Sequence, residues 1–414
     1  MRISGCVITK NEEKNIAKCL GSLKPVVDEI IVVDTGSEDA TVRIAEELGA
    51  HVFRQKWEND FSKAKNAALD RARGDWVVFL DADEYFDEAS VLKVRPFIEK
   101  VHGNRNAEGI KCELINIDQD SGKIISSNEI LRIFRNSKKI RYINRIHEEL
   151  RKNGAPLMCA DARGVLSILH TGYSAALQAE KARRNLELLK NNADDKKSAY
   201  YLATTYYILD EDEKAYEYAD MALAEEAIAA IDSMAYKMHV IRISAAMRID
   251  PSNREKIRQL IEEANQKYGN HPEIAKEEAA FLLREGRYDE ALEKYLYALD
   301  CQEKYGKTWG QNDFPTVIHE VCFNIAQILV RLKREAEALD YYVMALKSYK
   351  YYAKAFRYMF DLFHSLPDEE IVAFLNSLYD MNKKADVGFL AEQAAGCGKP
   401  VVALYYEKKW KGMV

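Results

Sequence analysis

Apolar residues in the first 85 positions fall into short runs separated by longer mixed segments. The runs "ISGCVI" (3–8), "EIIVVD" (29–34), "HVFRQ" (51–55) and "WVVFL" (76–80) each have the length of a strand. The segments between them have the apolar spacing of helices. Strand–helix alternation at this spacing predicts a parallel sheet with helices on its faces. The strands lack polar alternation, which agrees because such a sheet is covered on both sides.

After residue 84 the alternation of strand and helix patterns becomes less regular. The pattern predicts a helix near 88–101 and strands near 109–117, 129–135 and 164–170. This mixture predicts an extension added to the edge of the sheet.

From about residue 175 strand signals vanish and a self-similar helical pattern begins. The stretches 201–223, 277–299 and 324–346 align without gaps, and each ends in Ala-Leu. Each carries an early and a later alanine, in the pairs Ala203 and Ala215, Ala279 and Ala291, and Ala326 and Ala338. The pattern resembles the tetratricopeptide repeat, a pair of antiparallel helices. An irregular helical bundle is the alternative.

These two patterns predict the domain organisation. We expect an α/β domain over residues 1–175, a linker helix over 176–197 and an all-α repeat domain over 198–414.

Composition narrows the class of protein. The chain has 414 residues and a net charge of −6, so a broad cationic surface for nucleic acid is not expected. Its apolar runs are too short for a membrane span. The first residues lack the long apolar stretch of a signal peptide, which predicts a cytoplasmic protein. None of the seven cysteines is in a CxxC pair, so neither a zinc site nor a disulfide framework is expected.

Polar residues collect where the predicted strands end. Asp81 and Asp83 follow the fourth strand, Asp34 ends the second, and Asn11 and Glu12 follow the first. Ligands of open parallel sheets bind outside these carboxyl ends. Carboxylates close together repel, and a divalent cation with oxygen ligands, Mg²⁺ or Mn²⁺, removes that cost. A second acidic triplet, "DED" at 210–212, is interpreted as a solvated repeat turn.

The absence of two sequence motifs limits which classes of ligand the site could bind. No GxGxxG follows the first strand and no Walker A loop is present, which argues against a dinucleotide cofactor and a P-loop. A diphosphate held chiefly through a metal remains.

Several ordered segments resemble family 2 glycosyltransferases of the GT-A fold. They are "ITKNEEKNIAKCLGSL", "EIIVVDTGSEDATVRIAEELGA", "DFSKAKNAAL" and "ARGDWVVFLDADEYF", and the resemblance covers residues 1–173. It implies a nucleotide-sugar-binding α/β domain. It also implies transfer of a sugar from a nucleoside diphosphate, usually UDP, with inversion at the anomeric carbon.

The resemblance assigns roles to residues at the first two strand ends. Thr9, Asn11 and Glu12 match the first nucleotide-binding loop. Asp34 matches the aspartate that accepts a hydrogen bond from the base.

The resemblance also assigns roles around the acidic motif. Lys65 and Asn66 match a nucleotide-sugar-binding Ala-Arg-Asn segment, with lysine replacing the commoner arginine and so losing a bidentate fork. Asp81 would face the ribose or the metal, next to Ala82 in the nucleotide-sugar site. Asp83 would be the main metal ligand and take a direct part in catalysis.

A catalytic base is expected in "NRIHEEL" (144–150). The family places an acidic base at a helix start after the edge strands. Glu148 has a comparable position, and Glu149 is its rival. Two exposed glutamates that merely begin a helix are the alternative interpretation.

Four further residues are candidates for the site. His170 is a candidate third metal ligand or a structural histidine, and His147 a candidate contact to the acceptor or donor sugar. Arg132 and Arg135 are candidates to neutralise the diphosphate, with solvation of a strand edge as the alternative.

The whole architecture resembles bacterial enzymes that glycosylate peptides or proteins, including S-glycosyltransferases that modify cysteine in bacteriocin precursors. Helical repeats form concave surfaces that hold extended chains, so a peptide or protein acceptor is expected, Ser/Thr O-linked or Cys S-linked. A homodimer through the repeats is also expected. Two alternatives stay open. One is a glycosyltransferase for a cell-surface glycan or small molecule, and the other is a repeat-based binding protein with a vestigial catalytic domain.

Overall fold

A computed structural model describes residues 1–117, 124–171, 175–190, 197–306, 309 and 312–413. The chain packs as two compact units, residues 1–249 and 250–414. The predicted boundaries at 175 and 198 mark where the sequence pattern changes, and they stay predictions. Packing divides the chain at a different point, after Ile249.

The first unit contains a mixed sheet. Its strands are β1 (Ile3–Thr9), β2 (Glu29–Asp34), β3 (His51–Arg54), β4 (Trp76–Asp81), β5 (Glu84–Phe86), β6 (Gly109–Ile117), β7 (Ile124–Arg135), β10 (Cys159–Asp161) and β11 (Ser167–His170). Along the sheet the order is β3-β2-β1-β4-β7-β6-β11-β5, and β10 pairs with β6. A separate hairpin joins β8 (Ile140–Ile143) to β9 (Glu149–Lys152).

The α/β prediction for this region is confirmed, and the sheet is more mixed than "mostly parallel" implies. Strands β3, β2, β1 and β4 are parallel, as the alternating pattern predicts. Strand β7 runs antiparallel to both β4 and β6, and β5 is antiparallel to β11. The parallel part positions the site because Thr9 is in register with Asp34 and Ile8 with Asp81, so these strands end together.

Burial on both faces explains the unbroken apolar run of β4. Trp76, Val78 and Leu80 belong to one core cluster. That cluster also contains apolar residues of the helix before β2 and of the helix after β5. Val77 and Phe79 belong to a second cluster on the other face. Each face of the strand therefore needs apolar residues, so alternation is absent.

Helices make up the rest of the first unit. They are α1 (Ile16–Leu23), α2 (Thr41–Glu47), α3 (Phe61–Leu69), α4 (Glu88–His102), α5 (Ala175–Lys190), α6 (Ser198–Ile208), α7 (Asp212–Ala224), α8 (Glu226–Ala229) and α9 (Asp232–Ile249).

The described part of the second unit is helical. Its elements are α10 (Arg254–Tyr268), α11 (Pro272–Arg284), α12 (Tyr288–Tyr305), α13 (Phe314–Arg331), α14 (Glu335–Ser348), α15 (Ala353–Asp361), α16 (Asp368–Leu378), α17 (Lys384–Ala395) and α18 (Pro400–Lys411). Among the helices that the structure describes in either unit, none has the length and apolar character needed to cross a bilayer.

Three helix pairs share the geometry that the aligned stretches predict. The pairs are α6 with α7, α11 with α12, and α13 with α14. At equivalent turn positions Asp210, Gly286 and Lys333 all have positive φ, of 56°, 74° and 60°. All six matched alanines are fully buried, which lets the paired helices approach closely. The turn conformation and the close packing of the two helices therefore recur together in all three pairs.

Candidate active site

A cavity of about 1030 Å³ lies at the carboxyl ends of β1 and β4. Helix α3, the loop before β9, and helix α5 also contribute side chains to its lining. Most residues predicted from the sequence line it: Thr9, Glu12, Lys65, Asp81, Ala82, Asp83, Arg132, His147, Glu148, Glu149 and His170. The topology therefore brings distant parts of the first unit to one site.

Asp81 is held between two cations. Its Oδ1 lies 2.8 Å from Lys65 Nζ, and its Oδ2 lies 2.5 Å from Arg132 Nη2. Burial acts to raise the pKa of Asp81, but Arg132 and Lys65 outweigh it and lower the pKa to about 2. The carboxylate is ionised at neutral pH, and Lys65 and Arg132 offset its charge, a role that the sequence pattern alone predicts for a metal.

Arg132 also holds Glu84 through a bidentate pair. Arg132 Nε donates to Glu84 Oε2 at 2.8 Å, and Nη2 donates to Oε1 at 2.6 Å. Glu84 Oε2 accepts from the backbone N–H of Asp81 at 3.1 Å. Burial raises the pKa of Glu84, while the guanidinium acts to lower it. Glu84 thus fixes the turn and the arginine beneath the acidic motif.

Asp83 has different partners. Its Oδ2 lies 3.1 Å from His170 Nε2 and 3.0 Å from Lys181 Nζ. Burial acts to raise the pKa of Asp83, but these two groups hold it well below its usual range. His170 Nδ1 meets Asn116 Oδ1 at 2.7 Å. A ring with a carboxylate on one side and an amide oxygen on the other donates from both nitrogens, so this arrangement favours the imidazolium.

That interpretation agrees with the direction of the His170 pKa. Burial acts to lower it, but Asp83 raises it above its ordinary value. An imidazolium has no lone pair for a metal, so His170 must lose a proton before it can act as a ligand.

Lys65 connects the acidic motif to the predicted base. Its ammonium is buried and lies 2.6 Å from Glu148 Oε1 as well as 2.8 Å from Asp81. Burial acts to lower the pKa of Lys65, but the two carboxylates raise it above its usual value. Lys65 therefore remains a cation between the two acids.

Glu148 does not begin a helix, and that part of the sequence prediction is wrong. It lies immediately before β9, in the loop that joins the two strands of the β8–β9 hairpin. Its carboxylate reaches Lys65, whereas Glu149 pairs with Lys197 at 2.8 Å and with Arg151. Burial acts to raise the pKa of Glu149, but these cations lower it. The two candidate bases therefore have different surroundings, and Glu148 is bound to the Asp81 network.

The predicted nucleotide-binding loop is organised largely by its own polar groups. Asn11, at φ 55°, accepts from the Glu38 N–H at 2.9 Å. Asp34 accepts from the N–H groups of Gly36 and Ser37, each at 3.2 Å. Neither Asn11 nor Asp34 lines the cavity; both shape the loop beside it.

Thr9 and Glu12 lie in the cavity wall itself. Thr9 Oγ1 is buried and has no hydrogen-bond partner among the described residues. Glu12 accepts from Asn15 at 2.7 Å, and burial raises its pKa. An unpaired buried hydroxyl here fits a polar ligand at this strand end.

Two further predicted residues, in addition to Asn11 and Asp34, lie outside the cavity lining. The Asn66 amide exchanges two hydrogen bonds with the backbone of Tyr142, at 2.9 and 3.0 Å, and so anchors β8 to α3. Arg135 is in register with Trp76, at the opposite end of β4 from Asp81. Its guanidinium bonds the carbonyls of Ala107 and His102 and lies over the Trp76 ring.

Sequence reasoning missed the roles of Glu84 and Lys181. A signal for the first existed, because Arg132 stands between apolar neighbours in "ILRIF" and so needs a buried acid nearby. No sequence pattern indicates the role of Lys181, because the segment around it has the pattern of an ordinary charged helix.

The side chains around Asp83 suit only one kind of divalent-cation site. Within the described ranges, no three His, Cys, Asp or Glu side chains are grouped to hold a metal. Mg²⁺ commonly takes one or two carboxylates and completes its shell with water and substrate phosphates. Asp83, at the cavity wall, fits that kind of site. An all-protein cage does not fit.

Residues 4–141 match the model of "Glycosyl transferase family 2". The glycosyltransferase SunS of Bacillus subtilis, described as SPbeta prophage-derived, is 31% identical over 221 residues, which are 51% of each chain. A TPR repeat-containing protein of Synechococcus elongatus is 35% identical over 147 residues, 36% of this chain and 35% of that protein. The chain thus spans about a third to a half of the length of these curated relatives.

A solved structure of glucosyl-3-phosphoglycerate synthase from Mycobacterium tuberculosis, in complex with Mn²⁺, UDP and glucosyl-3-phosphoglycerate, is 27% identical. The match covers 27% of this chain and 44% of that one at a TM-score of 0.24, so it supports no conclusion about this chain. The family model, by contrast, matches from within β1 to within β8 and includes Asp34, Asp81 and Asp83. Residues 4–141 are therefore a domain of glycosyl transferase family 2.

Proposed function

We propose that this chain is an inverting glycosyltransferase that moves a sugar from a UDP-sugar to a peptide or protein side chain. The observation that carries the proposal is the cavity at the strand ends of the family 2 domain, whose lining is completed by residues that follow residue 141. It places Asp81 and Asp83 on one wall and Glu148 on another, with Lys65 between them.

The donor would bind along the strand ends. Thr9 and Glu12 lie at the end of β1, where base and ribose are contacted in the family. The diphosphate would lie near Asp83, which would hold Mg²⁺ or Mn²⁺ together with phosphate oxygens. When bound, that cation offsets the negative charge that develops on the leaving diphosphate.

The protein's own residues prepare this step. Lys65, Arg132 and Lys181 keep the two aspartates ionised before any substrate arrives. The half-exposed ammonium of Lys181 lies beside Asp83, where it would add positive charge next to a bound diphosphate.

Glu148 is the proposed base. The acceptor O–H or S–H gives its proton to the Glu148 carboxylate, and the freed electron pair forms the bond to the anomeric carbon. The bond from that carbon to the diphosphate oxygen breaks, and UDP leaves with its electrons. Attack on the face opposite the leaving group inverts the anomeric centre.

The acceptor class rests on architecture and similarity. Family 2 features and tetratricopeptide-like pairs occur in one chain, and relatives named as glycosyltransferases, SunS among them, match part of it. Concave repeat surfaces suit extended polypeptides. A Ser, Thr or Cys side chain supplies the nucleophile that this site needs.

A direct test supplies a panel of UDP-sugars, Mn²⁺ and a tryptic peptide pool, and measures UDP release together with peptide mass. We expect acceptor-dependent UDP release and a peptide heavier by one sugar residue. Asp83→Ala is expected to lower the rate on the order of 100-fold or more, as removal of transition-state charge stabilisation does elsewhere.

Asp289→Ala is the matched control, because Asp289 is an exposed carboxylate in the second unit. It should keep the full rate. A wild-type chain that neither binds nor hydrolyses any UDP-sugar contradicts the enzyme and favours a vestigial domain. Transfer only to glycans or small molecules contradicts the peptide acceptor alone.

A further inference from the structure

The loop that carries Glu148 has an unusual backbone. Asn144 and His147 both adopt positive φ, of 69° and 52°. Two left-handed residues other than glycine within four positions persist only where surrounding contacts enforce them. The contacts that enforce this loop therefore also set the position of Glu148.

One set of contacts comes from helix α3. The Phe61 N–H donates to the Arg145 carbonyl at 2.8 Å, and the Ser62 hydroxyl donates to the Asn144 carbonyl. These bonds hold the first half of the loop to the same helix that supplies Lys65.

A second set comes from the first repeat-like helix pair and the helix before it. Ile146 is buried in a cluster with Leu186 of α5 and with Leu202 and Tyr206 of α6. The His147 ring stacks on Tyr201 of α6, with ring centroids 3.7 Å apart and planes within 7°. This half of the loop is therefore held by α5 and α6, whereas the first half is held by α3.

We propose that Tyr201 is a positioning residue for Glu148. It acts by stacking on His147, which fixes the residue next to the base and keeps the Glu148 carboxylate in the cavity. Lys197, one turn earlier and 2.8 Å from Glu149, ties the following residue to the same helix terminus. The N-terminal end of α6 thereby helps to position the base, in addition to any role of the repeats in holding an acceptor. This inference rests on the proposed function of Glu148.

The test uses the UDP-sugar that the wild-type chain hydrolyses fastest, with Mn²⁺ and with water as acceptor. Tyr201→Leu removes the stacked ring and is expected to lower kcat roughly tenfold, because small misplacements of a reacting group are costly. KM for the donor and calorimetric binding of UDP should change less than about twofold. Tyr201→Phe keeps the ring and should restore kcat.

Tyr207→Leu is the matched control. Tyr207 lies on the same helix, but its hydroxyl bonds Ser244 and its ring lies under Arg248, away from the loop. This variant should keep the wild-type kcat. If Tyr207→Leu lowers kcat as much as Tyr201→Leu does, the effect is general destabilisation of α6 and the inference is wrong.

A double-mutant cycle separates positioning from stability. If Tyr201 acts through Glu148, Tyr201→Leu should have no further effect on kcat in a Glu148→Gln background. Additive losses overturn the inference. If Tyr201→Leu does not fold, Tyr201→Met replaces it in the same double-mutant cycle.

The two proposals fail in different ways. A wild-type chain without UDP-sugar binding or hydrolysis overturns the proposed function. An active wild-type chain whose kcat is unchanged by Tyr201→Leu overturns only the role of Tyr201.

Discussion

Two Asp-x-Asp triplets in this chain have nearly the same sequence and different surroundings. In "DAD" (81–83) the aspartates face a cavity and contact Lys65, Arg132 and Lys181. In "DED" (210–212) Asp210 is an exposed turn residue with φ 56°, and Asp212 pairs with the partly exposed Arg248. The first follows a buried strand and the second joins two helices, so the preceding element decides what the carboxylates do.

The arginines that pair with the two triplets also differ in their surroundings. Arg132 is buried and is shared by Asp81 and Glu84, whereas Arg248 lies at the surface end of α9 over the Tyr207 ring. Buried charges depend on their partners, because water cannot replace a lost one. Surface pairs are screened and contribute little.

The largest expected difference follows from removing the two arginines. Arg132→Met leaves Glu84 and Asp81 without their shared cation, and we expect a loss of about 3–5 kcal/mol in the free energy of unfolding. Arg248→Met should cost about 1 kcal/mol or less. Urea unfolding followed by tryptophan fluorescence measures both. Equal losses would show that the two motifs do not differ in this way.

A smaller effect concerns the pH dependence of the first motif. The pKa of Asp81 is lowered to about 2, from an ordinary value of about 4. A lowered pKa stabilises the folded state above pH ~4, and that contribution is lost as the pH falls toward 2. The wild-type chain should therefore lose more stability than Asp81→Asn between pH 4 and 2. Thermal unfolding in EDTA at several pH values measures the difference, and parallel curves would refute it.

The smallest effect is expected at the second motif. Asp210 has the same turn position as Gly286, and glycine adopts positive φ without the cost of a Cβ. Asp210→Gly should raise the free energy of unfolding by up to about 1 kcal/mol and leave glycosyl transfer unchanged. Denaturant unfolding and the UDP-release assay check both parts. A loss of transfer would assign a role to a carboxylate that we interpret as a turn residue.

Much of the first unit follows from its pattern. The run 76–80 predicts a strand buried on both faces, and β4 is such a strand. The aligned alanines predict the helix pairs, because only small residues fit where paired helices approach closely. The register of β1 with β2 and β4 then places Thr9 beside Asp34 and Ile8 beside Asp81, as expected for parallel strands.

The edge of the sheet was harder to predict. The segment around Glu148 has no clear hydrophobic periodicity. Glutamates are compatible with both the start of a helix and a short hairpin strand. Its conformation is decided by contacts from α3 and α6, which are far away in sequence. Asn66 illustrates the same limit, because its motif predicts a ligand contact while its amide is bonded to the Tyr142 backbone.

By itself the sequence determined the strands, the helix pairs and the gathering of Asp81 and Asp83 at a strand end, because these depend on local period and parallel register. Only the tertiary structure decided which charges meet. Lys65, Arg132 and Lys181 come from α3, β7 and α5, and no local pattern links them to the acidic motif. Ion pairing between distant elements depends on how those elements pack, so the partners of the two aspartates, and the loop that holds Glu148, emerge only in the folded chain.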